Sequence, residues 1–413
     1  MPWYQIFQDG PEYEARRKKT TFDPPNVTIK EVHDAVPNQL FERSTGKSLY
    51  YIARHIAVTY GLYYCGQQLD ALSFGKVGAP LLHRFIRLLL WLFYWGWQGM
   101  SFAGIWALGH EAGHDALSPS ALVNSVLGIV LHSFVLTPYF AWRATHRAHH
   151  KATNHLDRDE TYIPPTRKDL KLPDGRVAVR MDYVQALEDT PAYILFKLFV
   201  RQFFGFQLYL IHNRKGNPRY PRWTSHYNPS AKLFRPNERR SIILSNIAIG
   251  TMIYIISLWI KSTGWSYVWK HYFGPWLMAH NWIVTFTYLQ HSDPTIPYYR
   301  KNQWTFARGA LATVDRPIFG WAGRFFLHNI STDHLAHHFF VSVPFYNLPA
   351  VTEAIKPVLG QYYNYDSTPV IPALWRSFTS CVFIEDEGDI VFFKNKYGEA
   401  LIQPRIPTEV SAM

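Results

Sequence analysis

The chain has 413 residues, Lys+Arg 42 against Asp+Glu 30, a formal net charge of +12 and 17% aromatic residues including Trp 15. That charge suits nucleic acid, a membrane surface or an acidic partner. Two cysteines, Cys65 and Cys381, exclude a disulfide framework and a thiolate metal site, while 19 histidines are the outlier.

The N-terminus is polar from Met1 to Pro25 and carries Arg16-Arg17-Lys18-Lys19. It has no apolar h-region, so no cleaved signal peptide is expected and an internal span must begin membrane entry. A helix crossing the hydrocarbon core needs ~20 mostly apolar residues. Four stretches are expected to cross: 49–72, which carries Arg54 and His55 near its start, 85–107, 241–260 and 268–289. The apolar stretch 121–142 is expected to dip into the membrane or lie in the interface. Lys197 and Arg201 favour an interfacial helix over a span for 192–212.

The segment 143–240 holds about nineteen Lys and Arg, which marks it as cytosolic by the positive-inside rule. The N-terminus, 108–240 and 290–413 then share the cytosolic side, and the outer loops near 73–84 and 261–267 are short. Asn26-Val27-Thr28 and Asn329-Ile330-Ser331 match glycosylation acceptors but fall on the cytosolic side, where no glycan is expected. The expected organisation is a cytosolic N-terminal segment 1–48, a membrane domain 49–390 and a cytosolic tail 391–413. The basic residues lie between spans and no nucleic-acid motif appears, which disfavours DNA or RNA as partner.

Three histidine clusters carry the chemistry: His110-Glu111-Ala112-Gly113-His114, His146-Arg147-Ala148-His149-His150 and His334-Leu335-Ala336-His337-His338. Residues three and four apart share a helix face, so each cluster can aim its imidazoles at one point. Eight imidazoles exceed the four ligands of a zinc site and suit two metal ions with places left open. Imidazole binds zinc, copper, iron and nickel alike, so the residues alone do not select iron. All three clusters fall on one expected side of the membrane, an arrangement scattered surface histidines would not make.

His291 closes the fourth span and is a candidate ninth ligand, set against an ordinary interfacial histidine. His328 is a weaker candidate. Asp157, Asp159, Asp293 and Asp333 flank the clusters and are candidates to hold imidazole N–H groups, with solvated loop acids as the alternative. HEAGH by itself matches the zinc-protease motif with Glu111 as base, but that reading leaves two clusters unexplained. Glu111, the candidate catalytic carboxylate, is better placed as an acceptor orienting a ligand histidine. Trp97, Trp106, His280, Trp282 and Tyr288 are candidates to line a substrate tunnel, with generic membrane-facing aromatics as the alternative.

From Val27 to Lys394 the sequence resembles the membrane fatty-acid desaturases, in the fungal form of the oleate Δ12 branch. The marks are VTIKEVHDAVP, FERS, HEAGH, THRAHHKATNHLDRDE, YLQHSDP, WTFARGALATVDR, HNISTDHLAHH and FIEDEGDIVFFK. The resemblance implies an all-α, integral-membrane four-helix bundle with a cytosolic helical cap that carries the histidine-rich di-metal site. It implies two non-haem iron ions, electrons from cytochrome b5 and its reductase, acyl chains on phospholipid as substrate, and the endoplasmic reticulum membrane, with both termini cytosolic. The family's ligands fall on His110, His114, His146, His149, His150, His334, His337 and His338, with His291 as the usual extra. The departures are Ala112 where Cys is common, Asp115 where a non-acidic residue is usual, HRAHH where HSKHH is more frequent, and the order His280-Asn281-Trp282. They leave ligation intact and bear on the product. The expected reaction is O2-dependent insertion of a cis double bond, oleoyl to linoleoyl. A diverged acetylenase or conjugase acting on an unsaturated chain is the alternative.

Overall fold

The computed structural model of the chain describes residues 7–71, 80–188 and 190–405. The expected outer loop near 73–84 lies largely outside the described residues. The chain is mostly helical, and its longest helices are apolar on their outer surfaces. They are α1 (Thr45–Ala71), α2 (Pro80–Gly113), α3 (Ala121–Phe134), α4 (Tyr139–His150), α5 (Pro191–His212), α6 (Arg239–Thr263) and α7 (Gly274–His291). A short α8 (His334–Phe339) follows.

Helix α2 is the axis of the molecule and packs against α1, α3 and α7. With 34 residues it is about 51 Å long, against ~30 Å of hydrocarbon core. Its C-terminal end carries His110, Glu111 and His114. Its first half exposes Leu82, Phe85, Leu88, Leu89 and Phe93, whereas Met100 to Gly113 is buried throughout. Close approach to α7 depends on Gly99, where a Cβ would stand 2.4 Å from Met278 Cβ. Gly104 likewise makes room for the His55 ring and the Phe326 carbonyl.

The four stretches expected to cross correspond to α1, α2, α6 and the run Trp265–Val268, Trp269–Phe273, Gly274–His291, whose middle part is a π-helix. Length and composition support fewer crossings. Among the described residues, Pro191–His212 and Pro236–Thr263 are long and apolar enough, and the bent pair Ala121–Phe134 and Tyr139–His150 is a third if counted as one span. The physical reason is composition: Trp, Tyr, Gly and Gln98 dilute the apolar run of α2, Tyr, Gly, Gln67 and Gln68 that of α1, and His280, Asn281 and Gln290 that of α7. Helix α5, expected at the interface, meets the criterion for a crossing. Its cations do not count against a lipid face, because Lys197 lies over the Tyr193 ring at 4.7 Å and Arg201 over the Tyr288 ring at 4.2 Å.

Helices α3 and α4 meet at 107°. Leu136 takes a left-handed backbone there (φ 56) and Pro138 opens α4. Trp276 Nε1 on α7 donates to the Val135 carbonyl at 3.0 Å and pins the bend. The turn brings α4 back beside the end of α2.

The terminal segments are not free tails. Thr21–Phe22 pairs in parallel with Gln403–Pro404, and Tyr298–Tyr299 pairs antiparallel with Ile390–Val391, a strand that straddles the expected boundary at 390/391. A buried ion network ties these segments to the end of α7. Arg316 donates to Asp366 at 2.7 Å and to Asp293 at 2.8 Å, and both carboxylates are fully buried. Arg376 pairs with Asp366 and Asp9, and Arg16 stands 3.7 Å from both Asp293 and Asp366. Burial pushes the Asp366 carboxyl up, but Arg316, Arg376 and Arg16 outweigh it and hold its pKa below the ordinary range.

Asp366→Asn strips one acceptor from three buried guanidinium groups and should cost about 3–5 kcal/mol. Thermal unfolding of the detergent-solubilised protein checks this. The stabilisation from Asp366 is fully present above its unfolded pKa of about 3.9 and is lost as pH falls through the lower folded value. The wild type should therefore lose more stability than Asp366→Asn on acidification below about pH 4.

Candidate metal centre

Four chain segments far apart in sequence deliver nine imidazoles to one place. His110 and His114 come from the end of α2, and His146, His149 and His150 from α4. His291 comes from the end of α7, and His334, His337 and His338 from α8. They sort into two groups. His110, His114, His146, His150 and His337 have nitrogens all within 4.8 Å of one another, and so do His149, His291 and His338. His334 joins the second group, with Nε2 3.0 Å from His291 Nε2 and 2.9 Å from His338 Nε2. The groups adjoin, with the His150 and His338 ring centroids 4.2 Å apart.

Helical spacing explains the sorting. On α4 the i, i+4 pair His146 and His150 enters the first group, while His149, about 100° round the helix, enters the second. On α8 the use is reversed: His334 and His338 enter the second group and His337 the first. Each HxxHH cluster therefore serves both groups and fixes the separation between them.

The donor set is in the state a metal requires. His110 and His337 are pushed down to about 3, and His114, His146, His150, His291, His334 and His338 well below the ordinary range; burial is the first cause and neighbouring imidazoles add to it. Neutral rings nonetheless face each other nitrogen to nitrogen: His146 and His110 at 2.8 Å, His150 and His146 at 3.1 Å, all Nε2. His114 Nε2 and both nitrogens of His337 are buried without a hydrogen-bond partner. Converging lone pairs in an apolar interior repel unless a cation lies between them, so these residues fit a metal centre.

Three of the outer nitrogens, Nδ1 of His110, His149 and His338, have partners, whereas Nδ1 of His150, His291 and His334 has none. His149 Nδ1 donates to Asp159 at 2.8 Å, and Asp159 is fixed by the backbone N–H of Asn154 and Thr161. Thr153 Oγ1 lies 3.1 Å from His338 Nδ1. Glu111 Oε1 accepts from His110 Nδ1 at 3.0 Å and lies 4.0 Å from His337 Nδ1; burial pushes this carboxyl up to about 7. The Asp315 carboxylate accepts the Leu335 N–H at 2.8 Å and the Tyr363 hydroxyl at 2.9 Å, which anchors the first turn of α8. Thr153 and Asp315 did not emerge from the sequence, since neither is adjacent to an imidazole in the motif. Asp315 does lie in the ALATVDR string.

Other expected residues go elsewhere. Asp293 belongs to the arginine network and Asp333 pairs with Arg324 at 2.6 Å. The Asp157 carboxylate is exposed and stands 4.0 Å from His155 Nδ1, outside the cluster. His328 pairs with His55 at 3.0 Å, away from the cluster. Asp115 takes a left-handed backbone (φ 58) and accepts from Arg143 at 3.0 Å and Arg147 at 2.5 Å. Both guanidinium groups also donate to the Gly113 carbonyl, so the first cluster is tied to the helix carrying the second.

A cavity of about 950 Å³ reaches the cluster through His110, His146, His149, His291 and His334. Its size is that of a site for an extended organic ligand. Trp106 and Tyr288 line it, as do Trp142 and Phe206. Trp97, His280 and Trp282 are not in its wall. Trp97 packs on Phe326, His280 bonds Trp276 O and Gln207, and Trp282 Nε1 donates to Gly96 O at 3.0 Å.

A family model described as fatty acid desaturase matches residues 89–369. The chain is 40% identical over 379 residues to a Delta(12) fatty acid desaturase of Mortierella alpina, covering 90% of this chain and 91% of that protein. It is 32% identical over 411 residues to an oleate hydroxylase of Claviceps purpurea, covering 91% of this chain and 82% of that one. It is 34% identical over 370 residues to an omega-6 fatty acid desaturase, endoplasmic reticulum isozyme 2, of Glycine max, covering 90% and 91% respectively.

Asp159→Asn keeps the size of the side chain but weakens its hold on the His149 ring. Metal affinity in the purified protein, measured by chelator competition, is expected to fall about 10–100-fold. Asp157→Asn should leave it unchanged.

Proposed function

The chain belongs to the fatty acid desaturase family, and on that premise we propose that it is an acyl-lipid desaturase that converts oleoyl to linoleoyl chains. The observation that carries this reading is the convergence of nine imidazoles, five of them on the wall of a cavity lined largely by aromatic and aliphatic side chains. The proposed resident group is a pair of iron ions, one held by His110, His114, His146, His150 and His337, the other by His149, His291, His334 and His338. With dioxygen and two electrons it supplies the oxidising power that an unactivated methylene requires and that no side chain offers.

The protein's own part is placement. Trp106, Trp142 and Phe206 form an apolar wall beside His110 and His146, which orients an extended chain and excludes water from the reacting carbons. Glu111 holds the His110 ring through Nδ1 and leaves Nε2 turned into the first group. Asp159 and Thr153 do the same for His149 and His338.

The proposed membrane arrangement has α1, α2, α6 and the run ending in α7 as spans, with α3 and α4 as a re-entrant turn under a cytosolic cap. Support comes from the excess of Lys and Arg in 143–240 and from the length of α2, which exceeds the hydrocarbon core. The endoplasmic reticulum as location, cytochrome b5 with its reductase as electron source, and cytosolic termini complete the reading. A soybean relative carries the endoplasmic reticulum in its name.

A second reading, a diverged oxidase with another product such as an acetylene, conjugated diene or hydroxyl, is favoured by the similarity to an oleate hydroxylase. A zinc protease using HEAGH is disfavoured by the five-imidazole group around it, since a hydrolytic zinc keeps three protein ligands and an open place.

Expression in yeast fed oleate, and separately linoleate, tests the proposal. Mass spectrometry should locate a new cis double bond in the oleate-derived chain and none in the linoleate-derived chain. His150→Ala or His337→Ala should each lower the product at least about a hundredfold. A triple bond or hydroxyl at that position would favour the second reading. Product formation that survives both substitutions would sink the di-metal assignment.

A further inference from the structure

The loop 213–238 joins α5 to α6, and both helices are long and apolar enough to cross a bilayer. Ile211 before the loop and Ile243 and Leu244 after it are exposed, so the loop begins and ends beside apolar surface. It is held firmly in place. Asn217 Nδ2 donates to the carbonyls of Asp157 at 3.1 Å and Asp159 at 2.9 Å, and Arg219 pairs with Glu160. The His226 N–H donates to the Leu210 carbonyl at 2.9 Å, and its buried ring lies 4.5 Å from the Tyr209 ring and 6.3 Å from that of Phe234. Asn246 on α6 donates to the Tyr227 carbonyl at 2.7 Å. Both halves of the loop are thus gathered around His226, between the end of α5 and the start of α6.

Two features of this loop have no use within the fold. The Thr224 N–H donates to the Pro221 carbonyl at 3.2 Å and closes a turn in which Trp223 is left-handed (φ 67). A turn of that kind ordinarily places Gly or Asn there, because a larger side chain is strained in that backbone. Trp223 nevertheless stands 78% exposed, with its ring 5.4 Å from that of His212. Burying an indole would offset such strain, and holding it out in water does not. The second feature is charge. Arg222, Lys232, Arg235, Arg239 and Arg240 are exposed and lie outside the cavity wall. Among the described residues none of the five has a carboxylate within ion-pair distance. Arg239 and Arg240 occupy the first turn of α6, which holds no acid, and there the helix dipole disfavours cations.

We propose that the loop 213–238 with the first turn of α6 is a docking surface for the anionic headgroups of the bilayer, with the Trp223 indole seated at headgroup level. An indole is amphipathic and favours that depth, and each cation near an anionic leaflet strengthens attachment about fivefold. A loop held at both ends and around His226 meets that surface already ordered, which lowers the cost of docking. The occupant is the membrane surface rather than a substrate in the cavity, so the proposal goes beyond the desaturase reading and stands without it.

Two measurements on the full chain test it. In the first, protein purified in neutral detergent is equilibrated with equal amounts of dimyristoyl phosphatidylserine and dimyristoyl phosphatidylcholine, and the retained lipids are quantified by mass spectrometry. Wild type should retain the anionic lipid at least about tenfold over the zwitterionic one. The triple substitution Arg222→Gln, Lys232→Gln and Arg235→Gln, all on the surface, should abolish that preference. Lys151→Gln, Lys168→Gln and Lys171→Gln, at three exposed positions elsewhere, should keep it. In the second, Trp223→Cys in a Cys65→Ser background carries a polarity-sensitive fluorophore on the thiol, Cys381 being buried. In phosphatidylcholine liposomes containing phosphatidylserine, its emission should shift to the blue and be quenched by a headgroup nitroxide, and more so than in phosphatidylcholine alone. Equal retention of the two lipids by wild type, a preference that survives the loop substitutions, or an equal loss in the lysine control would each overturn the proposal. A probe at position 223 that stays in water with either lipid would overturn it too, and shielding of that probe by poly-glutamate would then assign the surface to an acidic protein. Displacement of phosphatidylserine by inorganic phosphate at equal concentration would overturn it in favour of a small-anion site.

Discussion

Nine imidazoles that point their nitrogens at one another, seven of them buried and two, His146 and His291, partly so, are the constraint on which the rest of the structure depends. Neutral rings 2.8–3.1 Å apart at Nε2 cannot all donate and accept, and no water-filled space separates His146 from His110. A cation shared between the rings would make that packing favourable. Everything around the cluster serves to keep four distant segments in register despite this local repulsion. The two groups have different supports: Glu111 and the Asp115 clamp brace the first, and Asp159, Thr153 and Asp315 the second.

The ion network of Arg16, Arg316, Arg376, Asp293 and Asp366 extends that logic outward. Asp293 lies two residues past His291, so the network holds the end of α7 in place through the N-terminal helix and the segment around Asp366. A buried pair of this kind contributes little net stability compared with apolar packing, but breaking it is expensive. Its value here is positional. It fixes where α7 stops, and thereby where His291 meets His334.

Helix α5 turns Leu195 and Phe199 outward and Arg201 inward, so one face is exposed apolar surface and the other lines the cavity. Two of the departures at the histidine clusters, Asp115 and Arg147, are partners. They preserve the approach of α4 to α2 rather than altering the donor set.

By itself the sequence made the chemistry legible: three spaced histidine clusters, a candidate ninth ligand at His291, and long apolar stretches between them. Those features are local, because helical spacing converts i, i+3 and i, i+4 directly into a shared face. The tertiary structure alone decided how the imidazoles divide into two groups, since that depends on the angle at which α4 and α8 cross the end of α2. It also decided which acids serve the cluster, choosing Asp159 over Asp157, Asp293 and Asp333, because hydrogen-bond partners follow from loop paths that no periodicity encodes. The tunnel candidates divide for the same reason. Trp106 and Tyr288 face the cavity while Trp97, His280 and Trp282 face neighbouring helices, a matter of helix rotation that an aromatic-rich sequence leaves open.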